Sequence, residues 1–339
     1  MAEETRSFDA GAQSVASVTA SAQRVMAKAE HVAIADGPLA ALADRLNEAY
    51  PADAGTAPYY KTKPDGPVLP MWEADEYHFR DLDAPELTAQ YVLVLDALNF
   101  CFWPADEPGW EYDRLAGSIK TVAVESGMAG LSADALAALT EADLTQWFGG
   151  SPPPRCAQRV RLLNEVGRVL AAHFDGSAAK LIASAGGSAV ELVARMVAFF
   201  PGFRDETTFD GDQVFFYKRA QIFVGDVWGA FGGEGLGAFR DIDQLTMFAD
   251  YRIPQLLRHL GILVYSPELA ALVDSLAVLP VGSVHEVEIR AATIVAVNQL
   301  RKLLHASWTT VQLDWWLWEE GEAHRESIGP HHRVLTTFY

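Results

Sequence analysis

Residues 214–230 read VFFYKRAQIFVGDVWGA, and in them Phe216, Ala220, Phe223, Val227 and Ala230 recur at steps of four and three. That spacing lines five apolar side chains along one stripe of a helix. The pattern continues downstream. In 251–260, Ile253, Leu256, Leu257 and Leu260 keep the stripe, and Gly261 supplies a C-terminal stop. Ser283 with Glu286 three residues on is a capping-box signature, opening a helix expected to run to about His305. The apolar run around Leu192 to Phe200, with Glu191 and Arg195 as its charges, reads as a buried helix. Tyr91 to Trp103 is a buried strand or a helix, which periodicity alone does not decide. Strand signals are sparse: Val264-Tyr265 and the terminal Val334 to Tyr339 are the candidates. The expected fold class is mostly α, a helical fold with few short strands.

The first 30 residues are rich in Ala and Ser and predict a helix with a frayed start. Pro51 to Pro70 predicts a loop carrying tyrosines. Pro152, Pro153 and Pro154 are the strongest breaker, and they divide the chain into an N-terminal helical lobe, 1–150, and a C-terminal helical lobe, 151–339, unless the whole is one compact domain. A chain of 339 residues is long enough for either arrangement.

Composition narrows the function. The net charge is −19, from 45 acidic against 26 basic residues. A protein that grips a phosphate backbone needs a basic footprint. Duplex nucleic acid is therefore not an expected partner, and any nucleotide bound is small and held by a few local cations. No apolar run approaches the roughly 20 residues of a membrane span. The N-terminus has an acidic start without a signal-peptide pattern, so no export is expected. The two cysteines, Cys101 and Cys156, suit a reducing cytoplasm and are too few for a zinc site. His324 and the pair His331-His332 lack metal-ligand spacing and read as a solvated tail. The glycines at 232, 233, 235 and 237 lack the strand-then-helix context of a dinucleotide site. No metal, no cofactor and no membrane partner is expected, and the chain reads as a monomer.

Three stretches carry chemistry. In TMFADYRIPQLLRHLG, 246–261, Asp250 precedes a helix whose first turn tolerates Pro254. An Asp there accepts backbone N–H bonds and faces the positive end of the helix dipole, and both favour the carboxylate. It reads as a helix cap or as a functional carboxylate. In 214–228, Lys218 and Arg219 interrupt an aromatic helix. Lys218 reads equally as a snorkelling stem or as the partner of an anion such as phosphate. In LDWWLWEEGEAHRE, 313–326, Asp314 and Trp318 are four apart and share a face if helical. Aromatic planes beside a carboxylate suit a flat heterocycle, and they also suit a Trp-rich core edge. NFCFW, 99–103, places the polar Asn99 among core aromatics.

Taken together, DALNFCFW (96–103), FPGFRDETTF (200–209), FYKRAQIFVGDVW (216–228), MFADYRIPQLLRHLG (247–261), HEVEIRAAT (285–293) and LDWWLW (313–318) occur in the order found in the queuosine-salvage proteins. The chain resembles that family from about Tyr91 to Tyr339, and the first 90 residues match weakly. The resemblance implies a helical core similar to helix-hairpin-helix DNA glycosylases, without action on DNA. It also implies hydrolysis of queuosine 5′-phosphate to queuine and ribose 5-phosphate, which supplies queuine for tRNA modification. The family's YKRAQ lysine falls on Lys218 and its FADYR aspartate on Asp250, so these two are the expected catalytic residues. Asp314, Trp315, Trp318, Phe248, Tyr251, Arg252, Arg219, Asn99 and His78 are the expected substrate contacts.

Cleaving a ribose–base bond builds an oxocarbenium-like sugar and negative charge on the leaving base. Asp250, ionised at its helix start, is expected to stabilise that cation and position water. Asp314 is expected to take the pyrimidine edge of the 7-deazaguanine, with Trp315 or Trp318 stacked on it. Lys218, with Arg219 or Arg252, is expected to hold the 5′-phosphate. Two rival classes stay open: a nucleic-acid base glycosylase, which needs a basic face, and a non-catalytic modified-base-binding protein, which needs only the aromatic pocket.

Overall fold

The computed structural model describes residues 15–51, 77–104 and 109–339, and the backbone of one short hairpin between them. Fourteen α-helices make up most of the described residues. The chain opens with α1 (Val15–Met26), β1 (Val32–Ile34) and α2 (Asp36–Ala49). The hairpin β2 (Tyr60–Lys61) and β3 (Leu69–Pro70) precedes α3 (Pro85–Leu98) and α4 (Tyr112–Leu131). Four short to medium helices follow: α5 (Ala133–Ala138), α6 (Glu141–Trp147), α7 (Cys156–His173) and α8 (Ala178–Ser184). Then come α9 (Ala189–Phe199), the hairpin β4 (Glu206–Phe209) and β5 (Asp212–Phe215), and α10 (Lys218–Ala230). The last third holds α11 (Arg252–His259), β6 (Leu263–Tyr265), α12 (Pro267–Asp274), β7 (Val278–Leu279), α13 (Val284–Leu303), α14 (Thr310–Ala323) and β8 (Arg333–Val334). The strands pair only in twos, β1 with β6 antiparallel and β7 with β8 parallel among them. No described helix is long and apolar enough to cross a membrane.

Several sequence expectations meet their residues here. Of the ambiguous Tyr91–Trp103 stretch, Tyr91 to Leu98 form the second half of α3, buried on every side from Thr88 to Leu98, and Asn99 to Trp103 follow it as non-helical chain. An all-round apolar helix gives no amphipathic period, which is why periodicity could not separate it from a strand. Leu192 to Phe200 falls in α9 and on its C-cap, and Val264-Tyr265 lies in β6. Gly261 follows α11 with φ +72°, a conformation that costs glycine nothing. Ser283 caps α13 by accepting the Glu286 N–H, but Glu286 turns back to the Gly282 N–H rather than to Ser283, so the box is half formed. The helix expected from 214 starts at Lys218 instead. Val214 and Phe215 belong to β5, and Tyr217 takes a left-handed φ of +53° that no helix continues through. The expected terminal strand is confined to Arg333–Val334. His332 is buried and His331 stacks on Tyr251 at 4.4 Å, so only His324 of the three is solvated. The first 14 residues and most of 51–70 lie outside the described residues.

One apolar core runs from Val15 to Tyr339 and takes side chains from both sides of Pro152–Pro154. α3 lies at its centre, packed on α4, α7, α8 and α10. The core also contains buried ions. Arg290 of α13 grips the Asp205 carboxylate with both terminal nitrogens, at 2.9 and 2.5 Å. Asp205 Oδ2 in turn accepts the Lys218 N–H, the first of α10. The ion pair thus fixes the start of the helix that carries Lys218. Glu288, also on α13, accepts the N–H groups of Glu30, His31 and Val32 and ties β1 to the core.

Candidate active site

Four segments converge on one cavity of about 330 Å3. The C-terminal end of α3 and the turn after it bring Asn99 to Phe102. The buried face of α10 brings Lys218, Ile222 and Asp226. The approach to α11 brings Phe248 to Arg252, and α14 brings Asp314, Trp315 and Trp318. Tyr112 and the terminal Tyr339 complete much of the wall. The volume lies at the lower end for small-ligand sites and suits one nucleotide-sized molecule.

The approach of α10 to the 248 strand of chain depends on one glycine. A Cβ at Gly225 would stand 2.8 Å from Phe248 Cζ and 3.2 Å from Val311. Only a residue without a side chain lets Phe248 lie against the helix. The aromatic surfaces are braced in pairs. Trp315 stacks on Trp228 at 5.8 Å and 15°, and Trp318 meets Tyr112 edge-on at 5.8 Å.

Asp250 Oδ1 accepts the N–H groups of Arg252 and Ile253 at 3.0 and 3.1 Å, which caps α11. The expected net effect of this position was a carboxylate held in its charged form. Burial overrides it: enclosure at the cavity raises the Asp250 pKa above the ordinary value. The Lys218 ammonium and then the two backbone N–H groups hold it back. Lys218 is itself buried and donates to the Asn99 carbonyl at 2.9 Å. Burial lowers its pKa, and Asp250, then Asp96, oppose that. Asp314 Oδ1 accepts the Phe248 N–H at 2.7 Å, and burial together with the nearby Asp250 charge pushes Asp314 well above the carboxylate range. His78 Nε2 and the Tyr112 hydroxyl are 2.8 Å apart, and burial drops the His78 pKa to about 3, so its ring is neutral.

Every sequence-expected residue except Arg219 borders the cavity. Arg219 is the next residue along α10 and points the other way. It donates to the carbonyls of Ala97 and Gly202 and lies over the Phe203 ring at 4.6 Å. Buried and turned away from the cavity, it does not reach a ligand phosphate there. Its neighbours extend the pattern: Arg159 of α7 donates to the carbonyls of Leu98, Phe100 and Cys101. Five consecutive carbonyls, 97 to 101, are therefore held by three buried cations, Arg219, Arg159 and Lys218.

Sequence reasoning missed the rim and part of the floor. Glu111, Glu322, Arg252 and Arg325 form a closed set of ion pairs, with N···O separations from 2.6 to 3.3 Å. These residues come from three places in the chain: Arg252 was among the expected contacts and Glu322 and Arg325 are a local pair three residues apart, but Glu111 is brought to them only by folding. Asp96 and Asp226 were legible in principle, because each is the lone charge inside an apolar run, VLVLDALNF and IFVGDVW. Among the described residues one group could hold a metal ion: His31, Glu268 and His285, with ligand atoms within 4.8 Å of one another. None of the three borders the cavity.

A helical body with a cavity walled by aromatic rings and floored by carboxylates around a single buried lysine defines a small-molecule site for a flat heterocycle. Residues 77–339 match the family described as Queuosine salvage protein. The chain is 46% identical over 279 residues to a Dictyostelium discoideum protein named queuosine 5′-phosphate N-glycosylase/hydrolase, covering 79% of this chain and 86% of that one. Proteins of the same name match from Sphaerobacter thermophilus, 46% identical over 80% of this chain and 86% of its own, and from Mus musculus, 34% identical over 80% and 89%. The chain belongs to the queuosine salvage protein family.

Proposed function

We propose that this protein hydrolyses the N-glycosidic bond of queuosine 5′-phosphate, releasing queuine and ribose 5-phosphate. The observation that carries the reading is the convergence of Asp250, Lys218, Asp314, Trp315 and Trp318 on one nucleotide-sized cavity. The activity is the one named for relatives that share up to 46% of the aligned residues. Both cysteines are free, in keeping with a cytoplasmic reaction.

Asp250 is the carboxylate placed to face C1′. As the bond to the base lengthens, positive charge grows on the sugar, and a fixed anion in a low-polarity cavity stabilises that charge strongly. The same carboxylate orients the attacking water. Lys218 keeps Asp250 charged against its burial. Asp314 meets the polar edge of the base, and the Trp315 and Trp318 rings cover its faces.

The phosphate assignment moves away from Lys218. Its ammonium already serves the Asn99 carbonyl and sits among Asp250, Asp96 and Asp314. A dianion brought there would meet those carboxylates. The other cations bordering the cavity are Arg252 and Arg325, at the more open rim, where a phosphate would take the place of Glu111 or Glu322 on their forks. Incubating purified protein with queuosine 5′-phosphate and following queuine by mass spectrometry tests the proposal. Stoichiometric binding without release of base would overturn it in favour of a binding protein.

A further inference from the structure

Away from the cavity, two histidines and a glutamate from separate stretches of chain meet at one corner of the fold. His31 lies just before β1, Glu268 in the first turn of α12 and His285 in the first turn of α13. One ligand-type atom from each lies within 4.8 Å of those of the other two. The His31 and His285 rings meet edge-on, with centroids 4.3 Å apart. His31 and His285 are half-buried and Glu268 is exposed, so the corner is open to small solutes.

The backbone beneath this cluster is fixed. The His31 N–H donates to Glu288 Oε2 at 2.6 Å, and the His31 carbonyl accepts the Ser266 N–H at 2.7 Å. Val32 of β1 pairs with Tyr265 of β6, which brings His31 beside the start of α12. Ser266 caps α12, and its Oγ lies 3.2 Å from His31 Nδ1. A ligating imidazole commonly has its second nitrogen held by such a neighbour, which sets the ring orientation. His285 Nε2 is buried and has no hydrogen-bond partner among the described residues. A buried ring nitrogen left unpaired is costly, and a bound cation satisfies it. Glu288, three residues along α13 from His285, adds a further carboxylate to the same corner.

We propose that His31, Glu268 and His285 form a binding site for a divalent transition-metal ion of the zinc type, independent of the hydrolase reading. Two imidazoles and a carboxylate are ligands of that class, whereas magnesium and calcium take oxygen ligands. Three protein ligands leave a fourth position to water. Metal–ligand bonds of about 2.0–2.2 Å place neighbouring ligand atoms roughly 3.3 Å apart, so the cluster has about 1.5 Å or less to close. The exposed Glu268 supplies that movement by a change of rotamer. None of the three residues borders the cavity, so the ion is structural. It cross-links the chain ahead of β1 to the starts of α12 and α13, where Glu288 already ties β1 to the core. Local ligand spacing could not reveal the site, because His31 is remote in sequence from the other two.

The untagged full-length protein, stripped with a chelator and dialysed, is titrated with zinc by calorimetry, alongside His31→Ala, His285→Ala and Glu268→Gln. Wild type is expected to bind one zinc ion per chain at a site that each variant weakens by about 100-fold or more. That exceeds the 10- to 100-fold typical of losing a group that only orients a ligand. Thermal unfolding is the second readout. Saturating zinc is expected to raise the wild-type midpoint by about 2 °C or more and to leave the variants in place, and magnesium is expected to move none of them. Glu268 is exposed, so Glu268→Gln keeps the test decisive if a histidine variant fails to fold. No zinc bound by wild type, or wild-type affinity in any folded variant, overturns the site. Zinc bound at these residues with no shift of the midpoint overturns its structural role. Neither readout uses turnover, so failure of the hydrolase reading leaves the result standing.

Discussion

Lys218 and Asp250 are each other's principal counter-charge: Lys218 is the leading group opposing the burial of Asp250, and Asp250 the leading group opposing the burial of Lys218. One residue begins α10 and the other caps α11, 32 positions later in the sequence. Neither ion would be tolerated alone in this enclosure, because an unpaired buried charge neutralises itself by shifting its pKa. On the proposed reading, the pairing makes a helix cap the carboxylate that faces the reacting sugar.

Its first consequence is a pH profile. The working form of Asp250 is the carboxylate, and its pKa is raised by burial and restrained by Lys218. Activity should therefore fall as pH drops through that raised value. In Lys218→Met the restraint is gone, so the acid limb of kcat/KM should move to higher pH. Rate measurements across the acid range on both proteins decide the matter. A limb that stays in place in the variant would mean that Lys218 does not control Asp250.

Charge and cap can be separated at Asp250 itself. Asp250→Asn keeps a side-chain oxygen for the Arg252 and Ile253 N–H groups, whereas Asp250→Ala loses it. Both should lower the turnover rate by about 10²-fold or more, the scale for losing a key electrostatic group. Only the alanine variant should also lose roughly 1 kcal/mol of stability, the usual cost of a missing cap. Comparing urea midpoints with single-turnover rates distinguishes the two effects, and near-normal turnover in a folded Asp250→Asn protein would remove Asp250 from the chemistry.

The phosphate reading makes a contrast between cations. Arg325→Ala and Arg252→Ala should narrow the preference for the 5′-phosphorylated substrate over the nucleoside, while Lys218→Met should lower both activities and leave their ratio in place. Parallel kcat/KM values for nucleotide and nucleoside test this. A collapsed ratio in Lys218→Met alone would return the phosphate to the lysine.

The Arg290–Asp205 pair is buried at both ends and holds the first N–H of α10. Breaking a pair of this kind leaves one charge stranded, at a cost of about 3–5 kcal/mol. Arg290→Met should lower the urea midpoint accordingly and reduce turnover through the loosened start of α10. A midpoint equal to wild type would show that the ions are dispensable to the core.

With 45 acidic residues against 26 basic ones, the long-range field opposes a polyanion. Two of the cations at the cavity are also matched by Glu111 and Glu322. Anisotropy titrations at low salt should give no binding to duplex DNA or queuosine-containing tRNA at micromolar protein. A salt-sensitive complex that releases base from the polymer would restore the nucleic-acid glycosylase alternative.

Much of this was legible in the residues themselves. The stripe at 251–260 marked one helix because its apolar face alternates with polar groups, and the Ser283–Glu286 capping signature marked the start of another. α3 was not, because a helix buried all round has no polar face to set the period. The start of α10 was misplaced by four residues, since a short strand and a left-handed tyrosine can carry the same apolar beat. At the site, sequence named the side chains that face inward but could not tell Lys218 from Arg219, adjacent residues that a helix turns about 100° apart. Nor could it show that burial outweighs the helix start at Asp250. Of the rim charges only Arg252 was named, because Glu111 meets Arg252 and Arg325 through folding alone.

Each of the five carbonyls from Ala97 to Cys101 accepts a donor from the side chain of Arg219, Arg159 or Lys218, in addition to the Phe100 N–H that Leu98 also takes. This stretch of cavity wall is splinted from outside, and its route depends on the backbone rather than on the side chains it displays. Asn99 and Phe102 can therefore be exchanged without rerouting the chain beneath them. Substitutions at those two positions should change the lining of the cavity while the scaffold is left standing.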